Sequence, residues 1–403
     1  MSSIEQTSYN AHVIQLNNEH DIRKELSNIK ADKKAYDILI QKMVFLHVKL
    51  EQVDTRAANM LKQHLRSIGG EAVISKEAYS FTERTTDVLL SASKETFRLL
   101  TKKLNSMPYG LGKISKELEK SLFSNYGIMN YRDKTLDFRH KTYVMGILRF
   151  DKISRSTELT EEGLLEKINA MVKSGVDIID IYVDDNIENI RNREDEKNKT
   201  HQLITLLNLI NSKYPDLILS ITTTKYNIAK EALNAGVDIL IEAVPLKYNE
   251  QMLHLVAQKK CPIVLMHNNS FLTQAPKPLT SISDVIRDIQ SNISFAVGQG
   301  ILRDKIIIEP GIGFGRSKRD NFLILKQLSS FKYLNVPILV GLSKHSFLGE
   351  ALRGKMRKTQ ISSITANTMA IINGANIIRV DDVSQAVTVA NIIDTLKNIE
   401  EDI

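Results

Sequence analysis

Several short segments gather residue types that suit flat or anionic small molecules. Glu309-Pro310-Gly311-Ile312-Gly313-Phe314-Gly315 ends an apolar run with a carboxylate and continues through three glycines. A carboxylate accepts paired hydrogen bonds from a guanidine-like edge, glycines let backbone approach a planar ligand, and Phe314 can pack on its face. The segment LVGLSKHSFLG from Leu339 brings Lys344, His345 and Ser346 together, and IIRVDDV from Ile377 sets Arg379 beside Asp381 and Asp382. Cations and hydroxyl donors in such sets suit a pyrophosphate leaving group or a carboxylate. The plain alternatives are a tight turn with no ligand for the glycine segment, and an ion pair with Asp381 or Asp382 for Arg379.

The elements that must position these residues are legible from residue 142 onward. Short β-rich apolar runs alternate there with segments of helical period, as in repeated βα units around a parallel sheet. The runs are Tyr143 to Arg149, Asp177 to Val183, Leu217 to Thr222, Asp238 to Ala243, Pro262 to His267, Lys305 to Glu309, Pro337 to Gly341 and Asn376 to Val380. Between them lie amphipathic stretches such as Thr160 to Ser174, with Thr160 placed to cap and Glu161 and Glu162 at the dipole's positive end. One junction recurs as SGVDIIDI at Ser174, AGVDILIE at Ala235 and NGANIIRV at Asn373. In each, a glycine can take the left-handed turn that ends a helix, and a short polar residue follows two places later. Eight such units predict a (β/α)8 barrel rather than an open sheet, with the residues after each strand meeting at one mouth.

Residues 1–140 read as a separate small α/β domain ahead of a barrel spanning 141–403. Strands are expected at Met43 to Val48, Ala72 to Ser75 and Thr86 to Ser91, and helices at Thr55 to Ser67, Lys94 to Leu104 and Leu111 to Phe123. The polar stretch YRDKTLDFRHK reads as a link to the barrel. No nucleotide loop, metal cluster or nucleophile constellation stands out in this part, so a packing or oligomerisation module, including a homodimer contact, is its plain reading.

Composition narrows the classes. The 403 residues are 42% hydrophobic and 25% charged, an ordinary globular balance, and no apolar run reaches the roughly 18 residues of a membrane span. The start MSSIEQTSYN lacks the basic and apolar regions of a signal peptide, and the single Cys261 precedes an apolar run, so a cytoplasmic protein with a buried thiol is expected. With 54 Lys+Arg against 47 Asp+Glu dispersed along the chain and no Trp, a nucleic-acid partner is not expected. An anionic small substrate fits.

In their order and spacing, VMGIL at Val144, LMHNN at Leu265, IIIEPGIGFGRS at Ile306, LVGLSKHSFLG at Leu339 and IIRVDDV at Ile377 resemble the dihydropteroate synthase family. These are pterin-binding barrels that join a pterin to p-aminobenzoate in folate synthesis. The resemblance covers about residues 142–398, and the preceding part resembles the extension of longer family members. It implies a transferase that condenses 6-hydroxymethyl-7,8-dihydropterin pyrophosphate with p-aminobenzoate. It places Glu309, Gly313, Phe314, Met266, Thr222, Lys344, Ser346 and Asp381 around the substrates, and His345, Arg379 and Arg149 at the chemistry.

The chain departs from the family's pattern where the pattern carries chemistry. The family's first strand ends in an Asn that helps bind Mg²⁺ with the substrate pyrophosphate, and Arg149 stands there, so Mg²⁺ use and any metal ligand are in doubt. Thr222 replaces a pterin-binding Asp. Ile241 replaces a pterin-binding Asn, with Glu242 beside it in the position of an Asp. Glu309 lengthens a carboxylate, His345 replaces a pterin-contacting Lys, and Asp381 replaces a phosphate-binding His. Three readings follow: an active synthase in which Arg149, Arg379 and His345 hold pyrophosphate; a diverged paralogue that is non-catalytic or takes another ligand, with Arg149 paired to Asp381 in the old phosphate site; and a folate-dependent methyltransferase, against which Ile241 argues.

Overall fold

Strand β1 (Phe45–Asp54) pairs antiparallel with β3 (Thr85–Ser93), and β3 pairs with the short β2 (Glu71–Val73), giving a sheet in the order β1-β3-β2. The computed structural model describes residues 12–14, 16, 19–123, 127–150, 161–183, 193–244, 246–268, 278–279, 281–342 and 360–398. The chain divides into two compact units, residues 1–124 and 125–403.

In the first unit, helices Thr55–Arg66, Lys94–Leu104 and Leu111–Phe123 share a core of Leu61, Leu65, Val88, Leu90, Phe97, Leu100, Leu111 and Leu118 with the sheet. Asp54 and Ser93 cap the first two helices through the backbone N–H groups of Arg56 and Thr96. Strand β1 runs six residues past the expected Val48, because the pairing shifts between Leu50 and Val53, with Gln52 at φ 55°. Such a bulge breaks the two-residue alternation by which a strand is read. Helices Glu19–Asn28 and Tyr36–Met43, which the sequence reading did not identify, pack through Ile22, Leu26, Tyr36 and Ile40.

The second unit opens with a hairpin, β4 (Ile128–Tyr131) and β5 (Lys134–Asp137). The stretch expected as a polar link is therefore folded structure inside the second unit, and the division falls at residue 124 rather than 140. Its polarity hid the pattern, since Met129, Leu136 and Phe138 join the barrel-interior cluster with Tyr143, Ile178 and Ile218 while Tyr131 packs on the outer one.

Eight parallel strands follow: β6 (Tyr143–Arg149), β7 (Ile178–Tyr182), β8 (Ile218–Thr222), β9 (Ile239–Glu242), β10 (Ile263–Met266), β11 (Ile306–Glu309), β12 (Leu339–Gly341) and β13 (Ile377–Val380). They pair in the order β11-β10-β9-β8-β7-β6-β13-β12. The Ile308–Ile338 bridge joins the two ends and closes the barrel. Alternate residues separate an interior cluster containing Met145, Ile239, Ile241, Val264, Met266, Ile307, Leu339 and Ile377 from an outer one that packs on the helices. All eight expected strands are present with ends shifted by at most two residues. Thr160 and the loop beyond it lie outside the described residues.

The repeated junction has a mechanical role. Gly175, Gly236 and Gly374 take φ of 85°, 102° and 106°. The polar residue two places on then clamps the preceding strand twice. Asp177 donates its N–H to the Val144 carbonyl and accepts the Val144 N–H on its side chain at 2.8 Å; Asp238 does the same with Leu219 at 3.0 Å, and Asn376 with Ile338 at 2.9 Å. A carboxylate or amide oxygen thus satisfies the first N–H of a barrel strand that the staggered ladder leaves over.

Candidate active site

Along the inward positions of the barrel, polarity rises toward the C-terminal ends of the strands. Ile178 is followed by Asp180 and Tyr182, Ile218 by Ser220 and Thr222, Ile307 by Glu309, and Ile377 by Arg379. One end is thus an apolar core plugged by the hairpin, and the other is a polar mouth, the usual place for chemistry in this architecture.

The centre of the mouth is a buried ion pair. Arg379 Nη2 lies 2.6 Å from Asp180 Oδ2, with both side chains at most 7% exposed. Thr222 Oγ1 donates toward Asp180 at 3.0 Å and accepts from Arg379 Nη2 at 3.2 Å, and Ser220 Oγ donates to Asp180 Oδ1 at 3.0 Å. Burial works against the Arg379 charge, but Asp180 and Glu309 outweigh it and hold the guanidinium above its ordinary range.

Glu309 sits across β12 from Arg379, and Gly341 makes room for both. A side chain at Gly341 would begin 3.3 Å from Glu309 Oε1 and 3.8 Å from Arg379 Cβ. Full burial pushes the Glu309 carboxyl up to about 7; Arg379 pulls it back and Asp180 adds to the rise. Its Oε2 and Arg379 Nε are buried without a hydrogen-bond partner. Two unsatisfied polar atoms at one strand-end mouth mark where a polar ligand would be completed.

The loop after β11 is built for close approach. Gly311, Gly313 and Gly315 all have positive φ, and Gly313 N–H donates to Asn321 Oδ1 at 2.8 Å. Phe314 packs against the interior cluster that contains Met266. Arg316, at the loop's end, is anchored at 2.6 Å to Nδ1 of the buried His267, whose Nε2 lies 3.2 Å from Asp288 Oδ2. With a guanidinium donating to Nδ1, the ring proton belongs on Nε2, facing Asp288. Burial lowers the Arg316 pKa, and the His267 hydrogen bond lowers that of Asp288.

At the rim, Arg149 Nε is 3.9 Å from Asp381 Oδ1, a loose ion pair between the ends of β6 and β13. Arg149 and Arg379 lie 5.2 and 5.7 Å from the Tyr182 ring centre.

The structure therefore gathers Arg149, Thr222, Met266, Glu309, Gly313, Phe314, Arg379 and Asp381 at one end of the barrel. Lys344, His345 and Ser346 lie outside the described residues. Ile241 points inward, whereas Glu242 turns to Val244 N–H at 3.0 Å and Asn249 Nδ2 at 3.1 Å, a local structural use. Sequence reasoning missed Asp180, Ser220, Tyr182, and the His267–Arg316–Asp288 chain. A carboxylate inside the otherwise apolar Ile178–Ile181 run was the available signal, since buried charge needs a partner. Cys261 is buried, its thiol pushed up to about 12 by that burial, a packed and unreactive group as expected. Among the described residues no helix is long and apolar enough to cross a membrane.

Comparison with known proteins agrees with this geometry. The family of pterin binding enzymes matches residues 145–381. The dihydropteroate synthase of Synechocystis is 32% identical over 64% of this chain and 92% of its own. A probable bifunctional folylpolyglutamate synthase/dihydropteroate synthase of Haloferax volcanii is 29% identical over 85% of this chain, a span that reaches into the first unit. This chain spans only 42% of that archaeal protein. The structure of Xanthomonas albilineans dihydropteroate synthase with 4-aminobenzoic acid superposes with a TM-score of 0.60 at 26% identity, covering 68% of this chain and 99% of that one. The closed barrel, its polar mouth and the match across most of its length show that this chain belongs to the pterin-binding enzyme family.

Proposed function

We propose that this chain is a dihydropteroate synthase of the long form, acting on a pterin pyrophosphate and p-aminobenzoate. The amine nitrogen attacks the pterin CH₂ carbon, the carbon–oxygen bond breaks toward pyrophosphate, and the amine loses a proton. Such a displacement calls for positioning and anion stabilisation more than for a dedicated base. The observation that carries the reading is the pair of buried, unsatisfied atoms, Glu309 Oε2 and Arg379 Nε, in the mouth of a barrel of this family. Glu309 accepts from the pterin edge, Met266 and Phe314 supply its apolar walls, and Arg379 with Arg149 faces the pyrophosphate. Lys344, His345 and Ser346 complete the phosphate and carboxylate contacts, by position in the family's pattern.

The residues at the Arg149 corner do not fit a divalent cation. A guanidinium offers only donors, and Arg149 holds a fixed positive charge 3.9 Å from Asp381, which it already offsets. The two arginines take the charge-neutralising role. A cytoplasmic location and a homodimer belong to the same reading.

The test is turnover by the purified chain. Pyrophosphate release is expected only when pterin pyrophosphate and p-aminobenzoate are both present, with Arg379→Ala reducing it at least about 100-fold. A second reading, a diverged paralogue that is non-catalytic or takes another ligand, is favoured by Thr222 being spent on Asp180 and by Ile241 offering no polar atom at the mouth. Growth of a gene deletion without folate products, together with no turnover, would establish that second reading.

A further inference from the structure

We propose that Asp180 is a positioning residue that fixes the Arg379 guanidinium through Nη2, so that the neighbouring Nε–H is held ready for the substrate. The inference rests on the synthase reading and assigns a role to a carboxylate that the family comparison leaves without one.

Three roles are open to a buried aspartate in a barrel mouth: ligand acceptor, structural counter-charge, or support for a working group. Hydrogen-bond accounting sets aside the first. Asp180 accepts from three donors: Ser220 Oγ on Oδ1, Arg379 Nη2 on Oδ2, and the one Thr222 hydroxyl proton, placed 3.0 Å from both oxygens. A carboxylate has about four acceptor positions, so little capacity remains for a ligand. Asp180 also lies one inward step deeper than Thr222 on the paired strand, since it is Tyr182 that sits opposite Thr222.

The second role fails on the other side of the pair. A self-contained structural ion pair would satisfy the whole guanidinium, because leaving a buried donor unmade is costly. Here Nη2 is engaged by Asp180 and Thr222, while Nε is buried with no hydrogen-bond partner. Arg379 is thus satisfied at Nη2 and not at Nε, and Glu309 is near enough for its charge to act on the guanidinium.

The third role accounts for both sides. Thr222 accepts from Arg379 and donates to Asp180, which closes a three-member ring of Asp180, Thr222 and Arg379 Nη2. The Tyr182 ring, 5.7 Å away, restrains the group from another direction. A donor fixed before the ligand arrives needs no reorganisation when charge develops on a leaving group. The replacement of a ligand-binding Asp by Thr222 also acquires a reason: its hydroxyl completes the ring, whereas a carboxylate there would set a second negative charge against Asp180.

The experiment compares Asp180→Asn, Thr222→Val, Arg379→Lys and the Asp180→Asn/Arg379→Lys double variant in the full chain. Asp180→Asn preserves size and the hydroxyl contacts while deleting the charge. We expect kcat to fall about 10- to 100-fold with the KM for p-aminobenzoate unchanged, Thr222→Val to fall less, and the double variant to be no slower than Arg379→Lys alone. Multiplying losses in the double variant, or wild-type kinetics in a folded Asp180→Asn, would overturn the inference. A readout independent of turnover separates it from the synthase reading. In the wild type, restrained rotation should keep the Arg379 Nη signals resolved in nitrogen-detected NMR, and Asp180→Asn should merge them. If the wild type does not turn over, the synthase reading fails, and the same NMR pair still decides whether Asp180 fixes Arg379; if Asp180→Asn does not fold well enough to measure, Thr222→Val must show partial merging or the inference falls.

Discussion

The carbonyl of His267 lies so close to Gly311 that a side chain added there would begin 1.8 Å from it. His267 N–H donates to the Glu309 carbonyl at 2.8 Å, and its imidazole holds Arg316 at 2.6 Å. A single residue at the end of β10 thus touches the beginning and the end of the glycine loop that carries Phe314. Gly311 also has φ 78°, so a substitution meets backbone strain as well as a clash with a carbonyl that cannot rotate away. Gly311→Ala should cost about 3 kcal/mol or more and loosen the loop, read as a lowered urea midpoint. An unchanged midpoint would mean that the β10–β11 contact is not formed in solution.

Glu309 makes stability and function pull in opposite directions. Its carboxyl is raised to about 7 by burial, against 4.5 for a glutamate in water, so the folded state holds a proton that the unfolded chain releases between those values. Stability therefore falls as pH rises from about 4.5 to 7, and the full cost, roughly 3 kcal/mol, is present above that window. Glu309→Gln should be more stable than the wild type at pH 8 and equal to it at pH 4, by thermal unfolding at both. The same variant should lose about 1 to 3 kcal/mol of affinity for pterin pyrophosphate, because an amide cannot replace the paired acceptor. Equal stability at both pH values would place Glu309 in water.

The barrel strands were legible because each is a short apolar run, and three of them are entered from the same glycine junction. The features that escaped are those where local pattern and tertiary role disagree. Gln52 interrupts the alternation of β1, and the β4–β5 hairpin turns through Arg132 at φ 54° with no glycine to announce it. Within the site, the residues after strand ends were readable, and Glu309, Arg379, Thr222 and Arg149 do meet. Asp180 escaped because it lies inside its strand, one layer below the rim. The consequence of Thr222 could not be read without it, because a threonine in place of an aspartate reads as a loss until its partner is known.

The junction clamp predicts a graded series at Asp238. This side chain accepts Leu219 N–H at 3.0 Å and is paired with Lys134 at 2.8 Å, and at 2% exposure neither contact is readily replaced by water. Asp238→Ala should cost about 3 kcal/mol or more, since it leaves a buried N–H and a half-buried ammonium without their acceptor. Asp238→Asn should cost only about 1 kcal/mol, because Asn376 performs the same clamp with an amide in the third copy of the junction. Chemical denaturation of the two variants checks the order, and equal losses would show that the charge, not the strand clamp, is what matters.

The rim pair Arg149–Asp381 sets the last expectation, for anion binding. At 3.9 Å the two charges attract without a tight fork, so Asp381 offsets part of Arg149's field while leaving the guanidinium able to turn toward a ligand. In the family's pattern this corner binds Mg²⁺ through an Asn, but a guanidinium cannot coordinate a cation and would repel one. Pyrophosphate should therefore bind equally with Mg²⁺ and with EDTA. Removing the competing carboxylate in Asp381→Asn should tighten binding about two- to fivefold at low salt, in line with a partly exposed ion pair worth up to about 1 kcal/mol. The gain should shrink as salt is added, because screening weakens a rim interaction more than the buried Asp180–Arg379 pair. Arg149→Ala should lose binding whether or not the metal is present. Calorimetric titration of the three proteins separates the cases. Strong Mg²⁺ dependence in the wild type would sink the arginine-for-metal reading, and no binding in the wild type with recovery in Asp381→Asn would mean that Asp381 already fills the anion site.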